Sequence, residues 1–443
     1  MNDVNVIFLS YLLIIIGSVF THGFYSFGGV IIILGSFLLL NLRGTFSSQK
    51  MLNGSYYQSH IITILLIIST ALSVLLYGGL YQREIWYISE ISQLLLIVSF
   101  LLSLLYIFPE KKSFIFRYKF PAMILIFLFV QVLMIISSPD PLIDIFRSLK
   151  YGTAALASFR NPYQEIYPAI YQGKVLDYFS YFPAILFYIL PFRLILGDPR
   201  YGIIFGQILV VFIIYRVLRI HRFDVRLSEI LVLLFIYYPL NSYITEQSFV
   251  DIVILLGVTF FLFFIYWPQK KSYVFYIACI ILMNTKQLFF FLMPVFLYRT
   301  GIIKSIKEAL KVYLLAFILP LPFLVWSAKD FLYDTIFIYL LPPQGVSADL
   351  SLNLRALFVN FAHVRLSQNV FLIWTLLYFI FVIWTTGRKN ISLFQSLCRF
   401  FVGFFLLGSI AYLNHYYLAS GLTLLYAFSL LLDNNNRRPA KAG

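Results

Sequence analysis

The chain has 443 residues, of which 61% are hydrophobic and only 12% are charged. Soluble domains contain about 25% charged residues, so this composition excludes an ordinary soluble protein. Apolar runs long enough to cross a bilayer recur along the whole length and leave no room for a soluble domain between them. We therefore predict an all-α polytopic membrane protein.

The net charge of +15 does not indicate a nucleic-acid partner. The basic residues gather in short segments between apolar runs, as Lys and Arg do on the cytoplasmic side of membrane proteins. Cys279 and Cys398 lie inside apolar runs, so we expect neither a disulfide framework nor a zinc site. The first apolar run lacks a basic leader and a small-residue cleavage site, which predicts a retained helix.

Most of the apolar segments have the length of a single spanning helix, but two are unusual. Residues 178–196 are apolar yet contain Pro183 and Pro191, and residues 272–298 carry Asn284–Gln287 at their centre. The regular segments are residues 4–20, 24–42, 61–80, 87–108, 119–136, 201–219, 227–245, 249–267, 306–327, 369–386, 394–413 and 416–432.

The charge distribution suggests how the unusual segments lie. With the N-terminus in the cytoplasm, the cytoplasmic segments hold most of the 33 Lys and Arg residues, provided that 178–196 does not cross the membrane. Residues 272–298 must then enter and leave on one side as two short helices around a buried turn. We predict about 14 membrane helices, two of them short, an interfacial helix at 178–196, and a cytoplasmic tail at 433–443.

Polar residues collect on the outer side of this predicted topology. Two large external loops, residues 137–177 and 328–368, lie there, and nothing comparable gathers on the cytoplasmic side. We therefore expect a site that works on the outer face. The other polar residues at this level are Glu246, Asp251, Lys286 and His415.

Asp144 is the first candidate for chemistry. It lies in a segment whose apolar residues recur at helical spacing, which predicts an amphipathic helix on the membrane surface. Asp144 is then either a reactive acid or a solvated acid paired with Arg147. The competing residue Asp140 lies between two prolines and is typical of a turn.

Three further charged residues lie in or beside apolar spans. Glu246 and Asp251 flank the start of a span, where acids are often functional but are also favourable neighbours of a helix N-terminus. Lys286, beside Gln287, lies in a long apolar run and needs an anion or a path to water there, and we favour an anion. That anion is either a substrate phosphate or an internal partner, Glu246 or Asp251.

The second external loop carries Arg355, His363 and Arg365, and Asn414 with His415 lies in the turn before the final span. Two arginines can grip a phosphate through paired hydrogen bonds, although an unoccupied surface loop has the same composition. The chain contains no glycine-rich nucleotide-binding motif. Nucleotide use is therefore unsupported.

The order of these features resembles a known family. An acid after a membrane helix is followed by "NPY" from Asn161, "YFP" from Tyr181, a span containing "YRVLR", a later span beginning near acids, and the "KQ" turn at Lys286. This order resembles the GT-C superfamily of integral-membrane glycosyltransferases, in particular the polyprenol-phosphate-mannose-dependent mannosyltransferase-like family. The resemblance covers residues 119–432 and leaves 1–118 as an N-terminal four-helix extension. The family's usual "YPP" is replaced here by "YFP".

The resemblance implies an enzyme that moves a sugar, mannose or another hexose or pentose, from a polyprenyl-phosphate donor. The acceptor would be a lipid, a glycan or a protein on the non-cytoplasmic face, with membrane lipids as the remaining partners. Asp144 is implied as the catalytic base, and Glu246 or Asp251 as a second acidic position. The residues expected to bind substrate or its phosphate are Lys286, Gln287, Arg355, Arg365 and His415.

Several points stay open at this stage. Asp144 and Glu246 together can hold Mg²⁺ or Mn²⁺, or simply hold the acceptor. A flippase for lipid-linked oligosaccharide and a polysaccharide polymerase or ligase are the alternative functions. A polymerase or ligase would depend more on Arg355, His363, Arg365 and His415 than on Asp144. Short loops favour a prokaryotic cell membrane.

Overall fold

The computed structural model describes residues 3–42, 55–83, 85–109, 113–168, 176–267, 272–338, 349–389 and 391–436. Apart from isolated pairs of bridged residues, the regular structure in this part of the chain is helical, as predicted. The α-helices in chain order are α1 Asp3–Val19, α2 Phe27–Leu42, α3 Ser55–Leu75, α4 Trp86–Leu104, α5 Phe114–Ser137, α6 Asp144–Ala157, α7 Pro183–Leu196, α8 Arg200–Ile220, α9 Val225–Ile236, α10 Asn241–Glu246, α11 Asp251–Tyr266, α12 Ser272–Met283, α13 Gln287–Arg299, α14 Ile306–Phe317, α15 Leu321–Leu332, α16 Leu354–Asn360, α17 Gln368–Lys389, α18 Leu393–Leu407 and α19 Leu413–Asn436.

Several helices have the length and composition of membrane spans. Within the described ranges, five are long and apolar enough to cross a bilayer, and a sixth results if α14 and α15, which meet at 77°, form one bent span. Further apolar helices have 10–17 residues, short of the roughly 20 that a span needs. The chain is therefore a multi-pass helical membrane protein, and the total of about 14 membrane helices stays a prediction. The five long helices are Tyr87–Ile107, Phe114–Ser137, Arg200–Ile220, Gln368–Arg388 and Leu413–Asn435.

The predicted interruption of the segment 272–298 is confirmed, because α12 ends at Met283 and α13 begins at Gln287. Asn284 holds the interruption in place. Its Nδ2 donates to the carbonyl of Ala316 at 2.8 Å, and its own backbone carbonyl accepts from the N–H of Ala184 at 3.0 Å. These bonds pair backbone groups that a broken helix would otherwise leave unsatisfied in apolar surroundings.

The prediction of one continuous helix over residues 227–245 is wrong. In the structure α9 ends at Ile236 and α10 begins at Asn241. Pro239 lies in this interruption, and a proline has no N–H to donate and disfavours a helical conformation of the residue before it. The break turns α10 into a separate short helix that leads directly to Asp251.

The amphipathic helix predicted around Asp144 is confirmed as α6, which buries Phe146 and Leu149. It packs against α7, the helix found in the unusual segment 178–196. Pro183 stands in the first turn of α7, where a missing N–H costs nothing, and Gly197 ends the helix in the left-handed region at φ +81°. Two sequence-local signals thus set the bounds of α7.

The two segments predicted as external loops contact each other. Gln164 Nε2 donates to Asp330 Oδ2 at 2.8 Å, and the N–H of Phe179 donates to Asp334 Oδ2 at 2.8 Å. The Tyr163 ring packs edge-on against Phe331, with ring centroids 4.8 Å apart. The chain that follows α6 is therefore fixed to the last turn of α15 and to the residues just after it.

The N-terminal helices, predicted as a separate extension, pack directly against the helices that follow. Helix α1 contacts α19, α2 contacts α18, and α3 contacts α9. Tyr11 Oη donates to the carbonyl of Leu234 at 3.1 Å, and the hydroxyls of Ser99 and Tyr237 lie 2.7 Å apart. Residues before and after position 118 thus share one helical bundle.

Replacing Asn284 tests the importance of the bonds at the helix break. Asn284→Leu leaves the carbonyl of Ala316 unpaired and should lower the free energy of unfolding by about 1–3 kcal/mol. Asn360→Ala is the matched control, because Asn360 is exposed and water can replace its bonds, so its effect should stay within about 0.5 kcal/mol. Thermal unfolding of the detergent-purified proteins measures both, and equal midpoints for the two variants would contradict the prediction.

Candidate functional site

The two acids after α5 are in different electrostatic situations. Asp140 receives Arg147 Nη2 and Lys150 Nζ, each at 2.9 Å, so two cations neutralise it. Asp144 begins α6, and its Oδ1 accepts the N–H of Ile145 at 2.8 Å. The structure gives it no ion pair with any described residue. The alternative in which Asp144 is neutralised by Arg147 is therefore wrong, since Arg147 is bound to Asp140.

The carboxylate of Asp144 is reached by solvent yet crowded by protein. Asp144 is an exposed residue, but the surrounding protein desolvates the carboxylate enough to raise its pKa above the usual value for aspartate. The backbone N–H groups of Ile145 and of Asp144 itself oppose this shift. Accessibility together with desolvation is typical of an acid in a cleft, and such groups are often reactive.

A buried arginine supports the helix that carries Asp144. Arg200 is fully buried, and its guanidinium binds Asp198 through two bonds of 2.7 Å and 3.0 Å. The same guanidinium lies 4.9 Å from the centre of the Phe146 ring on α6, a cation–π contact. The sequence analysis missed this pair. The only available signal was the charged "DPR" that follows the apolar segment 178–196.

Asp251, Lys286 and Asn414 come together from three distant parts of the chain. Lys286 Nζ lies 2.7 Å from Asp251 Oδ1, and Asn414 Nδ2 donates to Asp251 Oδ2 at 3.2 Å. Asp251 is almost completely buried, whereas the Lys286 side chain is 21% exposed. Of the partners predicted for Lys286, the internal one at Asp251 is therefore present.

His415 and Gln287 lie beside this ion pair in the chain and have separate partners. The N–H of Tyr412 donates to His415 Nδ1 at 3.1 Å, so the ring proton of a neutral His415 belongs on Nε2. The His415 ring also packs against Phe405, with centroids 4.8 Å apart. Gln287 Nε2 donates to the carbonyl of Ser180 at 2.8 Å and so joins α13 to the segment before α7.

Glu246 is held by the protein itself. The residue is fully buried, and its carboxylate accepts the N–H of Leu80 at 2.7 Å, the N–H of Tyr81 at 2.9 Å and Gln247 Nε2 at 2.9 Å. Both carboxylate oxygens therefore face donors. This environment does not fit a metal shared between Glu246 and Asp144, and the described residues contain no cluster of three metal-binding side chains.

The basic residues of the second loop differ in their surroundings. Arg365 is 81% exposed and pairs with Asp349 at 3.3 Å, and His363 is exposed. Arg355 is half-buried on α16, and its Nη1 is buried without a hydrogen-bond partner among the described residues. Arg355 is therefore the better placed of the two arginines to hold an anion.

Helix α16 is fixed close to the start of α19. Asn353 caps α16 through the N–H of Ala356 at 3.0 Å and donates to the carbonyl of Gly408 at 3.0 Å. The N–H of Leu352 donates to the carbonyl of Ala411 at 2.8 Å. The element with Arg355 thus lies against the segment that leads into Asn414 and His415.

A cavity of about 360 Å³ lies at the other end of the bundle. Its lining includes Tyr266, Arg299 and Asp433, and the Tyr266 hydroxyl donates to Asp433 at 2.8 Å. Asp251 begins α11 and Tyr266 ends it, so the whole helix separates this cavity from the ion pair. The cavity is therefore distinct from the ion pair of Asp251 and Lys286.

Comparison with known proteins does not identify the chain. It matches no protein family, no curated protein and no solved structure. Function must therefore be argued from the residues of the site.

Breaking the Asp251–Lys286 pair on one side should be costly. Lys286→Met leaves a buried carboxylate without its cation and should destabilise the fold by about 3–5 kcal/mol. Adding Asp251→Asn removes the unpaired charge, so the double variant should be more stable than Lys286→Met alone. Thermal unfolding midpoints measure the difference.

Arg160→Met provides the control, because the Arg160 side chain is 60% exposed in its pair with Glu165. Such surface pairs contribute about 0–1 kcal/mol. A double variant that is no more stable than Lys286→Met would show that the buried charge is not the source of the loss.

Proposed function

We propose that this protein is a membrane glycosyltransferase that takes a sugar from a polyprenyl-phosphate donor. The observation that carries the proposal is the state of Asp144, an accessible carboxylate with a raised pKa and no ion pair in the described structure. Its neighbour Asp140 is neutralised by two cations, so the Asp140 carboxylate is not free of ion pairs. A general base needs an unpaired carboxylate that can reach its substrate.

The proposed reaction is a single displacement. Asp144 takes the proton from an acceptor hydroxyl as the oxygen of that hydroxyl attacks the anomeric carbon of the donor sugar. The bond between this carbon and the phosphate oxygen breaks, and polyprenyl phosphate leaves with the bonding electrons. The products are the glycosylated acceptor and the lipid phosphate, and no protein nucleophile is required when the anomeric centre is inverted.

Lys286 and Arg355 are proposed to stabilise the phosphate as charge develops on it. Lys286 gives one hydrogen to Asp251, and an ammonium group has three, so two remain for a ligand. Arg355 has a buried nitrogen without a partner in the described ranges, which a phosphate oxygen would satisfy. Arg365 and His415 are proposed at the rim, where Arg365 is already bound to Asp349.

The lipid chain of the donor is proposed to lie along α7 and α15. These helices expose large apolar side chains, among them Leu194, Ile195 and Val325. Phe187 of α7 and Phe323 of α15 bring the two helices together, with ring centroids 6.1 Å apart. The proposed location of the site is the outer face of a prokaryotic cell membrane, with both termini in the cytoplasm and a glycan, lipid or protein as acceptor.

The activity test compares Asp144→Asn with wild type. Purified protein in nanodiscs is given a panel of polyprenyl-phosphate sugars with candidate acceptors, and release of polyprenyl phosphate is measured. Removing a general base should slow release by about 10²–10⁴-fold. Asp140→Asn is the matched control and should retain most of the activity. Equal rates for wild type and Asp144→Asn would show that Asp144 is not the base.

The pH dependence of the rate gives a second test. A base must be deprotonated to act, so activity should rise with pH through the pKa of Asp144 and then level off. Because desolvation raises this pKa, the rise should occur at higher pH than for an ordinary aspartate. Initial rates across a pH series measure it. A rise centred at or below the usual aspartate value would argue against Asp144 as the base.

A further inference from the structure

A short segment that follows α3 is hydrogen-bonded to the ends of α10 and α5, two helices that also pack against each other. Residues 77–83, which follow α3, are called the strap here. The middle of the strap is bound to Glu246, at the end of α10 and before Asp251. The C-terminal end of the strap is bound to Ser137, at the end of α5 and before the turn that leads to Asp144.

The contact with Glu246 is made by the backbone of the strap. Two successive N–H groups, those of Leu80 and Tyr81, point at the two oxygens of one carboxylate at 2.7 Å and 2.9 Å. Hydrogen bonds to a charged acceptor are among the strongest in proteins, and this carboxylate is fully buried. The strap is therefore firmly attached to α10.

The contact with Ser137 uses two neighbouring residues of the strap. The N–H of Arg83 donates to the carbonyl of Ser137 at 2.8 Å, and Gln82 Nε2 donates to the Ser137 hydroxyl at 3.3 Å. Gln82 Oε1 also accepts the N–H of Gly79 at 3.2 Å, a bond within the strap that spans the two residues bound to Glu246. The strap thus ties the last turn of α5 to the end of α10, in addition to the direct packing of the two helices, in which Gln131 Nε2 donates to the Ser242 hydroxyl at 3.4 Å.

The fit between strap and carboxylate allows no side chain at position 79. A Cβ added to Gly79 would lie 2.1 Å from Glu246 Oε1 and 2.3 Å from its Cδ. Both are far inside van der Waals contact, so one partner has to move. An alanine at this position would push the strap away from α10.

We propose that the strap is a positioning element of the outer site, which sets the segment bearing Asp144 relative to the segment bearing Asp251. This inference rests on the proposed glycosyltransfer. It assigns to the N-terminal helices a role in holding the site, and it makes Glu246 a positioning residue that acts through the strap. Neither Gly79 nor Glu246 has to touch the reacting atoms.

A double-mutant cycle in the donor assay tests the proposal. Gly79→Ala should lower kcat by roughly tenfold to a hundredfold with little change in the KM for donor, because a small misplacement of the base is costly. In the Glu246→Ala background the same change should cost little more, since the carboxylate that it would strike is gone. Glu246→Gln keeps one acceptor oxygen and should recover part of the rate that Glu246→Ala loses.

Gly28→Ala is the matched control, because no atom lies within 4 Å of a Cβ at that position of α2. It should leave kcat close to wild type. Additive costs of Gly79→Ala and Glu246→Ala, or a Gly79→Ala enzyme that is as fast as Gly28→Ala, would overturn the proposal.

A second readout does not depend on catalysis. Cys279 and Cys398 are buried, so a cysteine introduced at Leu142, which is 44% exposed between the two acids, can be labelled selectively with a water-soluble maleimide. Gly79→Ala should change the labelling rate at position 142 several-fold and leave a Phe361→Cys reporter unchanged. An unchanged labelling rate at position 142 would overturn the proposed positioning role of the strap. If this rate changes while wild type turns over no donor, the glycosyltransfer proposal fails and the strap stands.

Discussion

A buried pair of opposite charges, Asp251 and Lys286, is the interaction on which the meeting of three helix ends in the bundle depends. The pair joins the first residue of α11 to the break before α13, and Asn414 adds the start of α19 to the same point. Either charge alone in this environment would cost several kcal/mol, so the three helix ends must meet whenever the chain is folded. This junction forms at the polar positions that interrupt or border the apolar segments.

The two basic side chains of α6 pair with only one of the two acids near its start. Arg147 and Lys150 both bind Asp140, although Asp144 is closer to them in sequence and also begins the helix that carries them. The Asp140 carboxylate is thereby neutralised. The Asp144 carboxylate has no ion pair in the described structure and contacts both solvent and the protein that desolvates it. The bonds from Arg147 and Lys150 to Asp140 also join α6 to the turn that precedes it.

Residue type and order were sufficient to predict the helical membrane fold, the break at Asn284–Gln287 and the amphipathic helix at Asp144. They predicted the Asp251–Lys286 pair only as one of several alternatives, because a lysine in an apolar run needs an anion and the sequence does not identify that anion. The partner of Arg147, the buried Arg200 and the strap could not be predicted. Each depends on side chains or backbone groups that come close together only when the helices pack. Residues 227–245 are apolar enough for one continuous span, but Pro239 interrupts the helix there.

The packing of α1 against α19 sets a condition on how the protein is made. Helices enter a membrane in the order of synthesis, and α1 is then present long before its partner. Until α19 arrives, α1 lacks that neighbour, and Asp251 lacks the amide of Asn414. A chain whose synthesis stops before α19 therefore cannot complete its polar junction. Closure of the bundle therefore requires that translation has passed α19.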